Sequence, residues 1–210
     1  MRRRIALLLV TAFAVNFSSV SLAQESQQPG QIKPYLQVKP LPGDEKVIRA
    51  FFSPNCSFSR MYLPFFKNLS ATLPEDKVFM YTPLVNKGDG LTFALGFAAV
   101  QRFYPNFVQN FIEAAMVGVQ DKGISTVNWA GIDRLGKAAR LPVSLPMLVK
   151  SNQDMLMQDV EHLIAVRHHL AILNTPAVSV AGTYIVTPEF TGGDVQLFSQ
   201  LINGIISMTQ

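Results

Sequence analysis

The sequence has few of the residues from which most catalytic and structural sites are built. It contains one cysteine, Cys56, and three histidines in 210 residues. A single cysteine cannot form an internal disulfide, so a disulfide framework is excluded. No cysteine or well-placed carboxylate completes a metal site with the histidines. A glycine-rich phosphate loop and a Gly-x-Ser-x-Gly motif are also missing. We therefore expect no metal and no cofactor.

Basic residues are only slightly in excess. The chain has 18 lysines and arginines against 14 acidic residues, a net charge of +4. Three of these arginines, Arg2–Arg4, belong to the N-terminal segment, and without them 15 basic residues face 14 acidic ones. No stripe of lysine and arginine occurs further along the chain. The charge gives no support for binding to nucleic acid or to an anionic membrane surface, and we expect no nucleic-acid partner.

Only the N-terminus carries a long apolar run. Basic residues 2–4 precede an apolar stretch over residues 5–17, and Ser21-Leu22-Ala23 offers small residues for cleavage. The run falls short of the ~20 residues that span a bilayer, and no later run is long enough. We interpret residues 1–23 as a signal peptide cleaved after Ala23, with a retained N-terminal anchor as the alternative. The prediction is an exported, periplasmic protein without stable membrane insertion.

The remaining sequence predicts an α/β fold interrupted by a block of helices. Repeated proline and glycine predict a flexible segment over residues 24–43. Apolar runs predict strands over Val47–Phe52 and Lys77–Val85, and Pro83 places the second strand near a sheet edge or ends it there. Periodic apolar positions predict six helices, which cover residues 57–72, 91–103, 105–117, 126–139, 151–173 and 193–208. Turn residues between two short apolar runs predict a hairpin over residues 177–187.

Cys56 lies between the first predicted strand and the first predicted helix. At a helix N-terminus the sulfur faces unpaired backbone N–H groups and the positive end of the helix dipole. Both favour the thiolate, so we expect a pKa modestly below the ~8.5 of a free thiol. Phe58 opposes ionisation if its ring covers the sulfur. The alternative is that Cys56 is a small, inert, buried residue.

The arrangement around this cysteine resembles that of the DsbA-type thiol oxidoreductases. Residues 51–59 read Phe-Phe-Ser-Pro-Asn-Cys-Ser-Phe-Ser, similar to that family's Phe-Phe-Ser-x-x-Cys-x-x-Cys entry. The predicted helical block falls where the family inserts its helical domain. The segment 173–184, which contains Thr175-Pro176, resembles the family's cis-proline loop and following hairpin. The resemblance implies a thioredoxin-like fold with an inserted helical subdomain.

The resemblance also implies domains and roles for individual residues. The thioredoxin-like domain covers 44–85 and 174–210, and the helical insert with its connecting long helix covers 86–173. Cys56 matches the attacking cysteine, Ser59 stands where the family has its second cysteine, and Pro176 matches the cis-proline. Phe58 replaces a common histidine. Together with Thr175 and Pro54, Phe58 is expected to contact substrate.

The missing second thiol limits the chemistry. Ser59 is able to hydrogen-bond the Cys56 thiolate, but it cannot resolve a mixed disulfide. We therefore predict a thiol–disulfide exchange protein with one nucleophilic cysteine. Its partners would be cysteine-containing exported proteins or a small thiol. Two alternatives stay open: a redox-inactive binding module or chaperone in an envelope or conjugative secretion assembly, and a glutathione-handling enzyme, against which the predicted export argues.

Overall fold

The structure, a computed structural model, describes residues 33–85 and 90–209. Its centre is a five-stranded mixed sheet in the order β1-β5-β4-β2-β3. The strands are β1 (Leu36–Gln37), β2 (Val47–Phe52), β3 (Val78–Pro83), β4 (Ala177–Val180) and β5 (Tyr184–Val186). The predicted signal peptide, the first part of the predicted flexible segment and residues 86–89 lie outside the described residues.

Strand β2 lies inside the sheet, between β4 and β3, and all six of its residues are buried. It pairs in parallel with β3 and antiparallel with β4, so that Ile48 lies between Phe79 and Val180. The neighbouring strand β3 is at the sheet edge and ends at Pro83. Proline has no N–H to donate to a further strand, which is why it is tolerated there. The prediction made from Pro83 is confirmed.

Seven α-helices accompany the sheet within the described residues. They are α1 (Ser57–Thr72), α2 (Leu91–Phe103), α3 (Val108–Lys122), α4 (Trp129–Ala138), α5 (Leu145–Ser151), α6 (Gln153–His169) and α7 (Val195–Met208). Helices α2–α6 follow one another between β3 and β4. From β2 onward the observed order is strand, helix, strand, helical insert, hairpin and helix, as the sequence predicts. The fold is thioredoxin-like with an inserted helical subdomain.

The two faces of the sheet belong to different apolar clusters. Ile48, Ala50 and Phe52 on β2 share one buried cluster with residues of α1, α7 and the insert. On α1 and α7, the rings of Tyr62 and Phe198 meet edge to face at 5.0 Å. Phe51 points to the opposite face, where it joins Val166 and Leu170 at the end of α6. The strand is buried on both faces because helices cover both, and Arg49 is its one charged residue.

The interpretation of residues 24–43 as flexible is wrong for the part that the structure describes, residues 33–43. Strand β1 pairs antiparallel with β5, and the N–H groups of Val38 and Leu41 donate to the carbonyls of Thr183 and Gly182 at 2.9 Å. The prolines and glycines of this segment hide the sequence pattern by which a strand is recognised. The pairing comes from a partner strand almost 150 residues further along the chain.

Several helices also differ from the prediction; α3, for example, ends at Lys122 rather than at residue 117. The long helix predicted over residues 151–173 is α6, which begins after Asn152 and ends at His169. Ala171 has a φ of 53°, in the left-handed region, so the helix cannot continue to residue 173. Helix α5, with Pro146 in its first turn, was not predicted, because seven residues are too few to show a helical period.

Every helix in the described part of the chain is too short or too polar to cross a bilayer.

Candidate active site

Cys56 is the N-cap residue of α1. Its backbone is extended, with φ −93° and ψ 115°, and its Sγ accepts a hydrogen bond from the Ser59 N–H at 3.4 Å. Serine, threonine, asparagine and aspartate usually supply this capping acceptor. Here the sulfur takes the place of their oxygen. The thiol is therefore held at the positive end of a sixteen-residue helix, where a thiolate is favoured.

The loop before β4 lies directly against the cysteine. The Cys56 thiol donates to the backbone carbonyl of Thr175 at 3.1 Å, across 119 residues of sequence. The Thr175–Pro176 peptide bond is cis. The structure thus brings together Cys56, Thr175 and Pro176, which the sequence analysis joined only through a family resemblance.

Several groups around the half-buried sulfur of Cys56 act on its pKa. Burial is the largest single influence and raises the pKa. Hydrogen bonds from the Thr175 side chain, from the N–H and hydroxyl of Ser59 and from the Phe58 N–H lower it, and together they prevail. The pKa of Cys56 is therefore lowered, in the direction that its helix position predicts. The thiol's bond to the Thr175 carbonyl is present only in the protonated form and resists this shift.

Ser59 is fully buried beside the sulfur. Its Oγ accepts a hydrogen bond from the Ser53 N–H at 3.2 Å, which leaves its own hydroxyl proton free to be donated to Cys56. Ser59 thus links the end of the strand segment to the cysteine. A hydroxyl cannot form a disulfide, so within the described residues the site offers one thiol.

The other predicted contact residues differ in exposure. Phe58 is 56% exposed and lines a cavity of about 320 Å³ together with Thr175 and Pro176. Pro54 is buried, and its carbonyl accepts a hydrogen bond from Gln120. A buried ring offers little surface to a substrate, so Pro54 is better explained as part of the loop's internal packing.

Gln120 on α3 is a residue of the site that the sequence did not reveal. Its Nε2 donates to the Pro54 carbonyl at 2.9 Å and to the Cys56 carbonyl at 3.1 Å. Through these two hydrogen bonds the insert holds the loop that carries the cysteine. A polar residue on an amphipathic helix gives no sequence signal of such a bond, because its partners are more than sixty residues away.

Replacing Gln120 with leucine is expected to lower the free energy of unfolding by about 1–3 kcal/mol. The two carbonyls would lose their protein donor while the new side chain occupies the space that water would need. Urea denaturation checks this. Gln101→Leu is the control, because Gln101 is similarly half-buried and its amide makes no hydrogen bond within the described residues. Equal effects of the two changes would show that Gln120 does not hold the loop.

Metal chemistry receives no support from the described residues. Among them, no group of three or more histidine, cysteine or carboxylate side chains lies close enough together to hold an ion.

Fold and site together define a class of protein: a thioredoxin-like domain with a helical insert and a cysteine at the N-terminus of its first helix. Comparison of sequences adds nothing to this, because no protein-family model and no curated protein matches the chain.

Comparison of structures gives clear likenesses. DsbA from Pseudomonas aeruginosa has a TM-score of 0.73 at 15% identity, over 83% of this chain and 91% of that one. DsbA from Xylella fastidiosa has a TM-score of 0.69 at 18% identity, over 83% and 94% of the chains. DsbL from Salmonella enterica serovar Typhimurium has a TM-score of 0.58 at 19% identity, over 82% and 94%. The chain therefore has the fold of the DsbA-type thiol:disulfide oxidoreductases.

Proposed function

We propose that this protein is an exported thiol–disulfide exchange protein that acts through one nucleophilic cysteine, Cys56. The observation that carries the proposal is the setting of the sulfur. It is half-buried at the N-terminus of α1, accepts the Ser59 N–H, touches the Thr175 carbonyl and has a lowered pKa. A fold shared with DsbA and DsbL is consistent with this chemistry.

The exchange needs no second protein thiol. The Cys56 thiolate attacks one sulfur of a substrate disulfide, forms a new S–S bond with it and releases the other sulfur as a thiolate that takes up a proton. A substrate thiolate or a small thiol then attacks the mixed disulfide and releases Cys56 as a thiolate. Each disulfide broken is replaced by one formed, so no external oxidant or reductant is consumed. Shuffling of substrate disulfides and reversible capping of substrate thiols both follow from this cycle.

Substrate would dock beside Thr175 and Pro176. These residues line a cavity together with Phe58, and Thr175 in its wall is the residue whose carbonyl the Cys56 thiol contacts. An extended segment lying against the Thr175 backbone would bring its own sulfur to Cys56, as in strand addition. The partners that suit such a site are cysteine-containing exported proteins or a small thiol.

The division of the chain follows the same proposal. Residues 44–85 and 174–210 would form the thioredoxin-like domain, and residues 86–173 the insert with its connecting helix. Residues 1–23 would direct export to the periplasm, an oxidising compartment where thiol exchange has substrates.

A second candidate is a redox-inactive binding module, and Ser59 is the observation that favours it. Ser59 is fully buried and hydrogen-bonded to the loop. Because it stands where a second thiol would be needed, this site cannot carry out a dithiol cycle. The same cavity would then hold partner segments without covalent chemistry, as a chaperone or a component of an envelope or secretion assembly would require.

The pH dependence of Cys56 alkylation by iodoacetamide separates the two candidates. Only the thiolate reacts, so the rate rises with pH through the pKa of Cys56. We expect a midpoint clearly below the ~8.5 of a free thiol. Ser59→Ala should raise the midpoint, because it removes the hydroxyl that hydrogen-bonds the thiolate.

Ser57→Ala is the matched control for this experiment. Ser57 is an exposed neighbour on the same turn and makes no hydrogen bond to the sulfur. It should leave the midpoint where it is. A wild-type thiol that is unreactive, or that titrates at or above the free value, would contradict the exchange function and favour the binding module.

A further inference from the structure

Glu189 is the one charged residue that lines the cavity beside Cys56. The cavity is bounded by Phe58, Thr175, Pro176, Pro188, Glu189 and the pair Gly192–Gly193. All the others are apolar or uncharged. Glu189 is exposed, and within residues 33–85 and 90–209 its carboxylate makes neither a hydrogen bond nor an ion pair. The cavity therefore has a negative charge in its wall that no described side chain neutralises.

The same carboxylate borders a second apolar cavity. This cavity, of about 260 Å³, is lined mainly by Leu36, Ile172, Leu173, Ile185 and Phe190. Leu173 is 76% exposed, so the surface here is both apolar and open. Because Glu189 lies in the walls of both cavities, a segment that runs from one to the other passes its carboxylate. Neither cavity has a lysine, arginine or histidine in its lining.

The loop that carries Glu189 is held in place against α1. The Tyr62 hydroxyl donates to the Gly193 carbonyl at 3.0 Å, and Asp194 caps α7 through the N–H groups of Gln196 and Leu197. Burial raises the pKa of Tyr62, and the charges of Asp194 and Glu189 raise it further. The negative field of this loop thus reaches the helix that begins at Cys56.

We propose that Glu189 makes the site selective for cysteine-containing segments that carry a lysine or arginine close to the reacting cysteine. This rests on the proposed exchange function and specifies its substrate class. An apolar residue of the segment would occupy the open cavity around Leu173, and the basic residue would pair with Glu189. A segment with an acidic residue at the same position would be repelled.

The probes for the test are peptides of one sequence whose cysteine is joined by a disulfide to thionitrobenzoate. Attack by Cys56 on the peptide sulfur releases the coloured thiolate, so its appearance gives the rate. One residue is lysine, glutamine or glutamate, and it is placed in turn at the two positions on either side of the cysteine. Each rate is divided by the rate at which 2-mercaptoethanol reacts with the same peptide. This division removes the effect of the added charge on the reactivity of the peptide disulfide itself.

The wild-type protein should react about two- to fivefold faster with the best lysine peptide than with its glutamine counterpart, and more slowly with glutamate. The preference should shrink as salt is raised, because the pair is exposed to solvent. Glu189→Gln should bring the lysine-to-glutamine ratio close to one, and Glu189→Lys should invert the preference. Glu75→Gln should keep the wild-type ratio, because Glu75 is exposed beyond the far end of α1 and lines neither cavity.

The possible results separate a failure of the proposed selectivity from a failure of the proposed exchange function. Equal normalised rates for lysine, glutamine and glutamate peptides at every position would overturn the selectivity and leave the exchange function standing. If Glu189→Gln keeps the preference for lysine peptides, another residue causes that preference, and this result would also overturn the inference. A wild-type protein that releases no thionitrobenzoate from any peptide would overturn the exchange function, and the selectivity with it.

Discussion

Replacing Ser59 with cysteine is expected to convert a protein that retains a glutathione adduct into one that closes an internal disulfide. With oxidised glutathione, wild-type Cys56 should form a mixed disulfide that persists until another thiol arrives. In Ser59→Cys the introduced thiol would lie one helical turn along, where the Ser59 N–H is already 3.4 Å from the Cys56 sulfur. Intramolecular attack should displace glutathione so completely that no adduct remains.

Intact mass and thiol counting measure this result. The variant should lose two thiols and gain no glutathione. Ser57→Cys is the matched control, because it adds the same thiol one residue after Cys56, and adjacent helical residues do not face each other. It should accumulate adducts. A persistent adduct on Cys56 in Ser59→Cys would mean that this buried position does not align a second sulfur with the first.

The variant should also be slightly less stable than the wild type. The Ser53 N–H would lose a hydroxyl acceptor and gain a weaker sulfur one, at a cost of about 1 kcal/mol. This cost is too small to unfold a domain of this size, so the variant should be folded in the disulfide experiment and the result can be interpreted.

Removing the carboxylate of Asp44 is expected to cause the largest loss of stability. Arg49 on the buried strand β2 donates to Asp44 through Nε at 3.0 Å and Nη2 at 2.7 Å, and to the Thr82 hydroxyl through Nη1 at 3.2 Å. Both members of the ion pair are buried. Asp44→Ala would leave the guanidinium without its counter-charge in the protein interior. The expected loss is about 3–5 kcal/mol in the free energy of unfolding.

Urea denaturation of three variants tests this expectation. Asp121→Ala breaks another two-bonded arginine–carboxylate pair, with Arg60, whose side chains are 39% and 48% exposed. It should cost about 0–1 kcal/mol, because water solvates the freed charge. The double variant Asp44→Leu/Arg49→Met removes both buried charges and should recover most of the loss. A similar cost for Asp44→Ala and Asp121→Ala would show that water reaches Arg49.

Local patterns in the sequence were sufficient for strands β2–β5, for most helices and for the place of the cysteine. Val47–Phe52 is an apolar run followed by a turn, Cys56 and an amphipathic helix, and each of these features acts over a few residues. Pro83 ended an edge strand for a reason that lies within the residue itself, its missing N–H. Strand β1 and the short helix α5 were missed, because one depends on a distant partner and the other is too short to show a period.

The surroundings of the cysteine could be predicted only in part. Cys56, Ser59 and Phe58 are neighbours in sequence, so their proximity and the lowered pKa followed from the helix N-terminus. Thr175 and Pro176 were proposed by resemblance to a family, since no local pattern links them to a residue more than a hundred positions earlier. Gln120 and Glu189 were not anticipated at all, because an isolated polar side chain gives no indication of what it faces.

The sequence by itself determined that this protein has one thiol, that the thiol begins a helix, and that no second thiol is present to complete a dithiol site. These follow from residue identity and from hydrogen bonds between near neighbours. Tertiary structure decided that the thiol meets the Thr175 carbonyl, that Gln120 holds its loop, and that Glu189 places an unneutralised charge in the wall of the adjoining cavity. Those contacts depend on how the sheet and the inserted helices pack. Packing brings together residues that are far apart in the sequence, and no local pattern predicts which of them will meet.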